Sequence, residues 1–496
     1  MVAQPEPIPT PPGALSPGGE RRRPSEPLPP VFLALLSVVA LAPLPFGSVH
    51  LWSWPFIATL IGSLLGFWAL DRLRTGSPAP VHPGRFTVSL VALGIAVAWA
   101  DVQTIGATPN HWHHPAWVTM GHLLGVSGER AISIAPLDTW STIARWLTVA
   151  ATFWLALQYG RAVSRVRLGL TVIAVIGAGV AAYGLIMTLG GIEMVLWRER
   201  TWSIYRGYVS GTFINRNTFA TYAGLVVLIA SAFLLEAYFN HRRRAMGRGP
   251  SLLKAVETYV AGNWLWLCIW FLAMTALLLS GSRGGFFSTI AGGIVMIFAA
   301  GVGAKQTRDL ARLAMLLAGL LVLAAFAMSG ETLVASFGPQ FGESAAGRGV
   351  IYDLTIRALT DRPLLGSGAG TFQNLFYLYW DLALGMRATE THNSYLDSIV
   401  TLGLPAGVLP TLAVAAAAFP CILGLRRRRR DTIFPALGVG ATALVGVHAL
   451  MDFSLENLAV ATTYFFMLGL CVAQSWSSAE DTAKISGGVQ RRRRLV

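Results

Sequence analysis

The chain has 496 residues, 54% of them hydrophobic and only 12% charged, which excludes an ordinary soluble enzyme and points to a protein whose solvent is largely lipid. Its formal net charge of +14 does not point to nucleic acid, because the basic residues fall in short clusters between apolar runs rather than along one face. Cys268, Cys421 and Cys471 all lie in apolar segments, which excludes a disulfide framework or a cysteine metal site, and they read as small buried hydrophobes.

Residues 1–30 hold ten of the 26 prolines together with Arg21, Arg22 and Arg23. Such a segment cannot bury enough apolar surface to order itself, and a disordered tail is expected. Ala40, Leu41 and Ala42 match the A-x-A pattern of a cleaved signal peptide. Against cleavage stand the long proline-rich leader and Pro43, whose ring restricts the backbone directly after the cut.

A spanning helix needs ~20 mostly apolar residues. Runs of that size predict twelve helices, near 31–47, 50–70, 86–103, 140–159, 168–190, 213–238, 263–280, 284–304, 310–328, 395–425, 433–450 and 457–475. Pro43 and Pro45 in the first run, and Pro405 and Pro410 in the long tenth, predict kinks or breaks. The organisation expected is a tail at 1–30, helices one to nine over 31–328, a large loop at 329–394, helices ten to twelve over 395–476, and a basic tail at 477–496.

Lysine and arginine set the orientation. With the basic N-terminal tail in the cytoplasm, the inner segments are 71–85, 160–167, 239–258, 305–312, 426–431 and the C-terminal tail, and these with the first tail carry 27 of the 38 basic residues. Both termini are then cytoplasmic. The long loop lies outside with Arg348, Arg357, Arg362 and Arg387, and its stretch RGVIYDLTIRAL has the helical spacing of a short amphipathic helix near the interface.

On that topology four stretches of the outer surface carry candidate chemistry. In SGSRGGFF, residues 280–287, Arg283 opens a helix, where the dipole already makes the end positive. A cation belongs there if an anion binds: Gly281, Gly284 and Gly285 let backbone N–H groups approach a phosphate, and the guanidinium adds a bidentate fork. The alternative is an arginine snorkelling to the interface from a tight hairpin. In GTFINRNTFATYAGL, Arg216 again stands at an outer helix start, between Asn215 and Asn217, which either cap the helix or contact hydroxyls. Two arginines at two outer helix starts make a pyrophosphate clamp; the alternative is that the asparagines cap the helix and Arg216 only anchors it at the interface.

In THNSYLDS, residues 391–398, His392 can accept a proton from a sugar hydroxyl or act as a packing residue. Asp397 and Glu390 are the nearby acids that could orient it, although an i+5 spacing aligns Asp397 poorly. In HALMDFSLENLAV, Asp452 and Glu456 precede the last helix, where capping alone would explain them. His111, His113 and His114 beside Trp112 are either solvated or a metal site. No Asp-x-Asp pair occurs, which favours arginine over a metal ion as the phosphate neutraliser.

FINRNTFATY, SGSRGGF, the segment GRGVIYDLTIRALTDRPLLGSGAGTF with the following THNSYL, and the late LMDFSLEN, in this order, resemble the bacterial O-antigen ligase and polymerase superfamily. The resemblance covers about residues 205–460. It implies an all-α, polytopic, GT-C-like glycosyltransferase of the bacterial inner membrane, with a large periplasmic loop between helices nine and ten and a periplasmic active site. It implies an undecaprenyl-pyrophosphate-linked glycan donor, a lipid A-core or growing polysaccharide acceptor, neither metal nor other cofactor, and inversion at the anomeric carbon. Arg216 and Arg283 look like the arginines that hold the donor pyrophosphate, with Arg348 added to them. His392 looks like the loop histidine that activates the acceptor, and Asp452 is similar to a late acidic position. Asn215, Asn217 and Asn393 complete the expected substrate-binding set. A ligase is the first expectation, a polymerase the second and a protein O-glycosylating enzyme the third. A transporter of the same lipid is the reading from another class, disfavoured because the unusual charges sit at helix ends and not at the bilayer midplane.

Overall fold

The computed structural model describes residues 28–125, 130–200, 206–244, 252–304, 339–380, 390–428 and 432–476. These are mostly helical, with one two-residue antiparallel hairpin of β1 (Met194–Val195) and β2 (Arg198–Glu199). The helices are α1 (Pro30–Leu41), α2 (Ser53–Thr75), α3 (Thr87–Thr104), α4 (Ala116–Leu124), α5 (Pro136–Tyr159), α6 (Val163–Leu189), α7 (Arg216–Arg244), α8 (Leu252–Leu279) and α9 (Arg283–Ala304). They continue as α10 (Pro339–Asp361), α11 (Phe372–Tyr379), α12 (Ser394–Leu402), α13 (Leu404–Gly407), α14 (Leu409–Arg427), α15 (Ile433–His448) and α16 (Leu458–Ala473).

Among the described residues, 7 helices are long and apolar enough to cross a membrane, and α1, α15 and α16 are shorter apolar helices in the same bundle. The seven are Ser53–Thr75, Pro83–Thr104, Val163–Leu189, Arg216–His241, Val256–Leu279, Arg283–Gly301 and Leu404–Arg427. The fourth expected run is present as α5, 24 residues long, with Asp138 and Arg145 along it. The ninth run, 310–328, lies outside the described residues, as do most of the expected N-terminal tail, all of the expected C-terminal tail 477–496, and Arg387.

The prolines act as expected. Helix α1 stops at Leu41, and the chain turns through Pro43 and Pro45, with Phe46, Gly47 and Ser48 all at positive φ. The tenth run is split into α12, α13 and α14, with Gly403 at φ 84 before Pro405. A proline lacks the N–H that continues a helix and its ring clashes with the preceding turn.

Helix α7 is the axis of the bundle: 89% of its apolar window is buried, against 22% for α2. It packs on α8, α9 and α15. Helices α9 and α15 bring their backbones together at Gly292 and Gly440, since a Cβ on Gly292 would lie 2.6 Å from the Gly440 carbonyl oxygen. Such close backbone approach gives helices in lipid the van der Waals contact that replaces a hydrophobic driving force. Cys421 and Cys471 are buried as expected, but Cys268 is on the exterior. An apolar residue is equally at home facing lipid or a neighbouring helix, so composition alone did not separate the two.

The basic loops assigned to one side meet at one end of the bundle. Arg161 donates to the carbonyl oxygens of Ala473 and Trp476, Arg428 to Gln474, and the Arg85 guanidinium lies 4.7 Å from the Trp476 ring centroid. In the large loop, RGVIYDLTIRAL is helical within α10 and amphipathic. Ile351, Leu354 and Ala358 pack on Phe372, Leu375 and Phe376 of α11, while Arg357 and Asp353 form an exposed ion pair at 2.6 Å.

Candidate active site

At the end of the bundle away from those arginines, α7 and α9 begin, α8 and α15 end, and the chain enters α12. The start of α7 is set by Asn215, whose Oδ1 accepts the Asn217 N–H at 2.8 Å, while its carbonyl accepts from Phe219 at 3.1 Å. Arg216 is therefore held as the first helical residue. Its guanidinium lies 3.9 Å from the centroid of the Tyr208 ring, a cation–π contact that fixes the fork in place. Its Nη1 is buried with no hydrogen-bond partner among the described residues.

The turn between α8 and α9 brings Arg283 to the same place. Val209 N–H bonds the Leu279 carbonyl at 3.0 Å, tying the strand of chain before α7 to the end of α8. Gly281 sits at φ 62, and a Cβ there would lie 2.4 Å from the Tyr208 ring and 3.0 Å from Arg216 Nη1. Only glycine fits, for its backbone angle and for the space. Ser282 Oγ then caps α9 by accepting the Gly285 N–H at 3.2 Å. Arg283 stands within electrostatic reach of both Arg216 and Arg348, the latter carried by α10. Three like charges converging on one helix end repel one another, and an anion of high charge relieves this.

His392 is placed by a different set of constraints. It adopts φ 55, a left-handed conformation that a non-glycine residue enters at some cost. The segment is stitched to the end of α15 and the turn after it: Ser394 N–H bonds the Ala449 carbonyl at 2.9 Å, Ser394 Oγ the Asp452 carbonyl at 3.3 Å, and Tyr395 OH the Gly446 carbonyl at 2.8 Å. His392 Nδ1 consequently faces Asp452 Oδ1 at 3.4 Å, with the histidine side chain 30% exposed and the aspartate only 3%. Burial alone would raise the Asp452 carboxyl. The hydrogen bond and charge of His392, the charge of His448 and the Phe453 N–H outweigh it and hold that carboxyl below its ordinary value. An imidazole donating through Nδ1 to a carboxylate keeps Nε2 as the proton acceptor.

Arg216, Arg283 and Arg348 thus meet, and His392 meets Asp452. Arg348 joins the groups, because its charge acts on His448 as well as on Arg283, and His448 in turn feels Asp452. Asn215 and Asn393 serve as helix caps, Asn393 Oδ1 accepting from Tyr395 and Leu396, both at 3.1 Å, whereas Asn217 lies inside α7 and gives its backbone N–H to Asn215. His113 Nε2 pairs with Thr108 Oγ1 at 3.0 Å, and His114 Nδ1 accepts the Ala116 N–H at 3.1 Å. Burial and then the Arg362 charge push His114 down to about 4. Among the described residues no three histidine, cysteine, aspartate or glutamate side chains are grouped to hold a metal ion.

Neither nearby acid orients His392. Glu390 hydrogen-bonds to Glu456 instead, and burial pushes it up to about 8, with Asp397 and Asp452 adding to the rise and Arg145 opposing it. Asp452 was a candidate for its place before the last helix, yet its pairing with His392 was not expected. Tyr208 and His448 were missed altogether. The i, i+4 spacing of His448 and Asp452 was the available signal.

The fold and this arrangement define a multi-pass helical membrane protein with a cationic, histidine-bearing site at one end of its bundle. Residues 267–411 match the O-antigen ligase family model, so this part of the chain is similar to that family. The matched segment holds Arg283, Arg348, His392 and Asn393, while Arg216 and Asp452 lie outside it. No curated protein matches the chain.

Proposed function

We propose that this protein transfers a glycan from undecaprenyl pyrophosphate to an acceptor hydroxyl at the periplasmic face of the inner membrane, as an O-antigen ligase. The reading includes about twelve spanning helices in a GT-C-like arrangement, cytoplasmic termini, and the division into tail, nine helices, loop 329–394, three helices and basic tail. One observation supports it: His448 Nε2 lies 3.7 Å from the point where a Cβ on Gly284 would stand, so the turn that carries Asp452, the partner of His392, runs beside the start of α9 that carries Arg283.

The chemistry follows from that arrangement. The acceptor oxygen attacks the anomeric carbon from the face opposite the lipid diphosphate. The new C–O bond forms as the bond to the phosphate oxygen breaks, and His392 Nε2 takes the hydroxyl proton. Asp452 stabilises the imidazolium, while Arg216, Arg283 and Arg348 stabilise the charge gained by the departing diphosphate. Inversion and independence from metal belong to the same proposal.

The test is transfer from a defined undecaprenyl-pyrophosphate glycan by purified protein, with lipid A-core as acceptor. The product on lipid A-core is expected for the wild type, and Arg216→Ala, Arg283→Ala and His392→Ala should each insert in the membrane without forming it. Transfer retained in all three would overturn the site. Chain elongation without lipid A-core would replace the ligase by a polymerase, which the same family allows. In a Cys268→Ala background, Arg283→Cys should react with an impermeant thiol reagent from the periplasmic side, and labelling only from the cytoplasm would reverse the orientation.

A further inference from the structure

His448 ends α15 with its side chain 1% exposed, and its two ring nitrogens have very different surroundings. Nδ1 lies 3.2 Å from Ser454 Oγ, and Thr221 Oγ1 of α7 lies 2.9 Å from that same oxygen as its donor. Thr221 Oγ1 also lies 3.3 Å from the Asn217 carbonyl, but the shorter contact is to Ser454, and when its single proton goes there the Ser454 proton is directed to His448 Nδ1. The neutral ring then carries its own proton on Nε2. That nitrogen is buried and has no hydrogen-bond partner among the described residues. A donor left unmet in a low-dielectric interior is costly, and three side chains on three segments are arranged to keep it so.

What Nε2 faces is the start of α9. It lies 3.7 Å from the point where a Cβ on Gly284 would stand, one residue after Arg283. The absence of a side chain at Gly284 leaves the approach to the helix end clear, and Met451, whose Cβ is 3.6 Å from the same point, is an unbranched side chain able to move aside. The ring thus stands beside the start of α9, and the His448 carbonyl accepts the backbone N–H of Asp452, the partner of His392, at 2.9 Å. Asp452 does not take the Nε2 proton in this structure: its Oδ1 faces His392, and its Oδ2, like His448 Nε2, is buried without a hydrogen-bond partner among the described residues.

From this geometry we infer that His448 is a further substrate-binding residue, whose Nε2–H donates to a phosphate oxygen of the lipid diphosphate held at the start of α9. Ser454 and Thr221 are positioning residues that fix the tautomer. The inference rests on the arginine site proposed above. It also divides the labour between the two histidines: His392 accepts the proton from the acceptor, and His448, with Nδ1 already occupied, donates a hydrogen bond to the leaving group.

The experiment measures binding of undecaprenyl diphosphate, without a glycan, to the full-length protein in detergent, beside glycan transfer and thermal stability. His448→Leu removes a buried polar ring and replaces it with a side chain of similar reach, so stability should be kept or raised. Binding should nevertheless fall by roughly 10- to 100-fold, the loss of one hydrogen bond to a charged group. His448→Gln, which can return an N–H near the Nε2 position, should recover most of the affinity, and packing alone would not give that recovery. Ser454→Ala should weaken binding in the wild type and have no further effect in the His448→Leu background. In turnover, the loss should be larger in kcat than in KM, because the leaving phosphate gains charge in the transition state.

Wild-type affinity in His448→Leu, with affinity lost in Arg283→Ala, would overturn the role of His448 and leave the arginine site standing. Wild-type affinity in both would overturn the site itself. Should His448→Leu fail to fold, the comparison of His448→Gln with Ser454→Ala decides: a loss in the serine variant and retention in the glutamine variant support the inference, and the reverse pattern overturns it.

Discussion

His392 Nδ1 meets Asp452 Oδ1 at 3.4 Å although 60 residues separate them, and the aspartate is buried while the histidine is partly open. The buried carboxylate is preorganised for an imidazolium, since the backbone N–H of Phe453 already donates to the same Oδ1 at 2.9 Å. Asp452→Asn keeps the shape of the side chain and removes its charge. Glycan transfer should fall by roughly 100- to 10,000-fold, the usual range for positioned acid–base chemistry, with donor binding unchanged. The effect should be largely absent in a His392→Ala background, because the pair acts as a unit. Single-turnover rates and a donor-binding titration on the four proteins check this, and full additivity would show that the two residues work apart.

The arginines make a separate prediction. Arg216 and Arg283 approach from the first positions of two helices, and Tyr208 fixes the plane of one guanidinium. If each offers two parallel N–H groups to a diphosphate, lysine cannot substitute for it. Arg283→Lys should therefore behave much more like Arg283→Ala than like wild type, with undecaprenyl diphosphate affinity down by at least ~10-fold, the loss of a charge-assisted hydrogen bond. Near-wild-type affinity in the lysine variant would reduce the site to a generic positive potential.

How far these features were legible depends on the range of the interaction. Breaks at Pro43 and Pro405 are local, because a missing N–H acts within one helical turn, and they stand where the sequence puts them. The amphipathic reading of RGVIYDLTIRAL is local too, and Ile351, Leu354 and Ala358 are buried as their spacing required. The partner of His392 is not a local property. Proximity along the chain directs attention to Asp397 and Glu390, whereas the hydrogen bonds of Ser394 and Tyr395 to the end of α15 and the turn after it bring Asp452 to the ring. Tyr208 lies in a connecting segment with no pattern of its own, and hydrogen bonds from distant residues, Val209 N–H to Leu279 and Arg200 and Thr188 to the Tyr208 carbonyl, put its ring against Arg216.

The Glu390–Glu456 pair should leave a signature in the pH dependence of stability. Folded, Glu390 keeps its proton up to about 8, against the ordinary value of 4.5 when unfolded. Between these values the folded state binds more protons than the unfolded one, so stability falls as pH rises through the window and levels off above it. Glu390→Gln is neutral at every pH and lacks this slope. The variant should match the wild type in Tm near pH 5 and exceed it by a few degrees near pH 9. Parallel melting curves across that range in one detergent would contradict the burial argument.

Gly281 ties the backbone of one arginine's turn to the side chain of the other arginine. Its φ of 62 and the 2.4 Å separation between an added Cβ and the Tyr208 ring mean that Gly281→Ala must displace the ring. Displacing the ring displaces the Arg216 guanidinium stacked on it. The left-handed backbone itself costs an alanine about 1–2 kcal/mol, which a bundle of this size should survive. The variant should fold with a lowered Tm and bind undecaprenyl diphosphate weakly, as Arg216→Ala does. Tyr208→Phe preserves the ring face and should keep the affinity, while Tyr208→Ala should lose part of it without disturbing the turn. Combining Gly281→Ala with Arg216→Ala tests the route of the effect: if the glycine acts through the guanidinium, the double variant should bind no more weakly than Arg216→Ala alone.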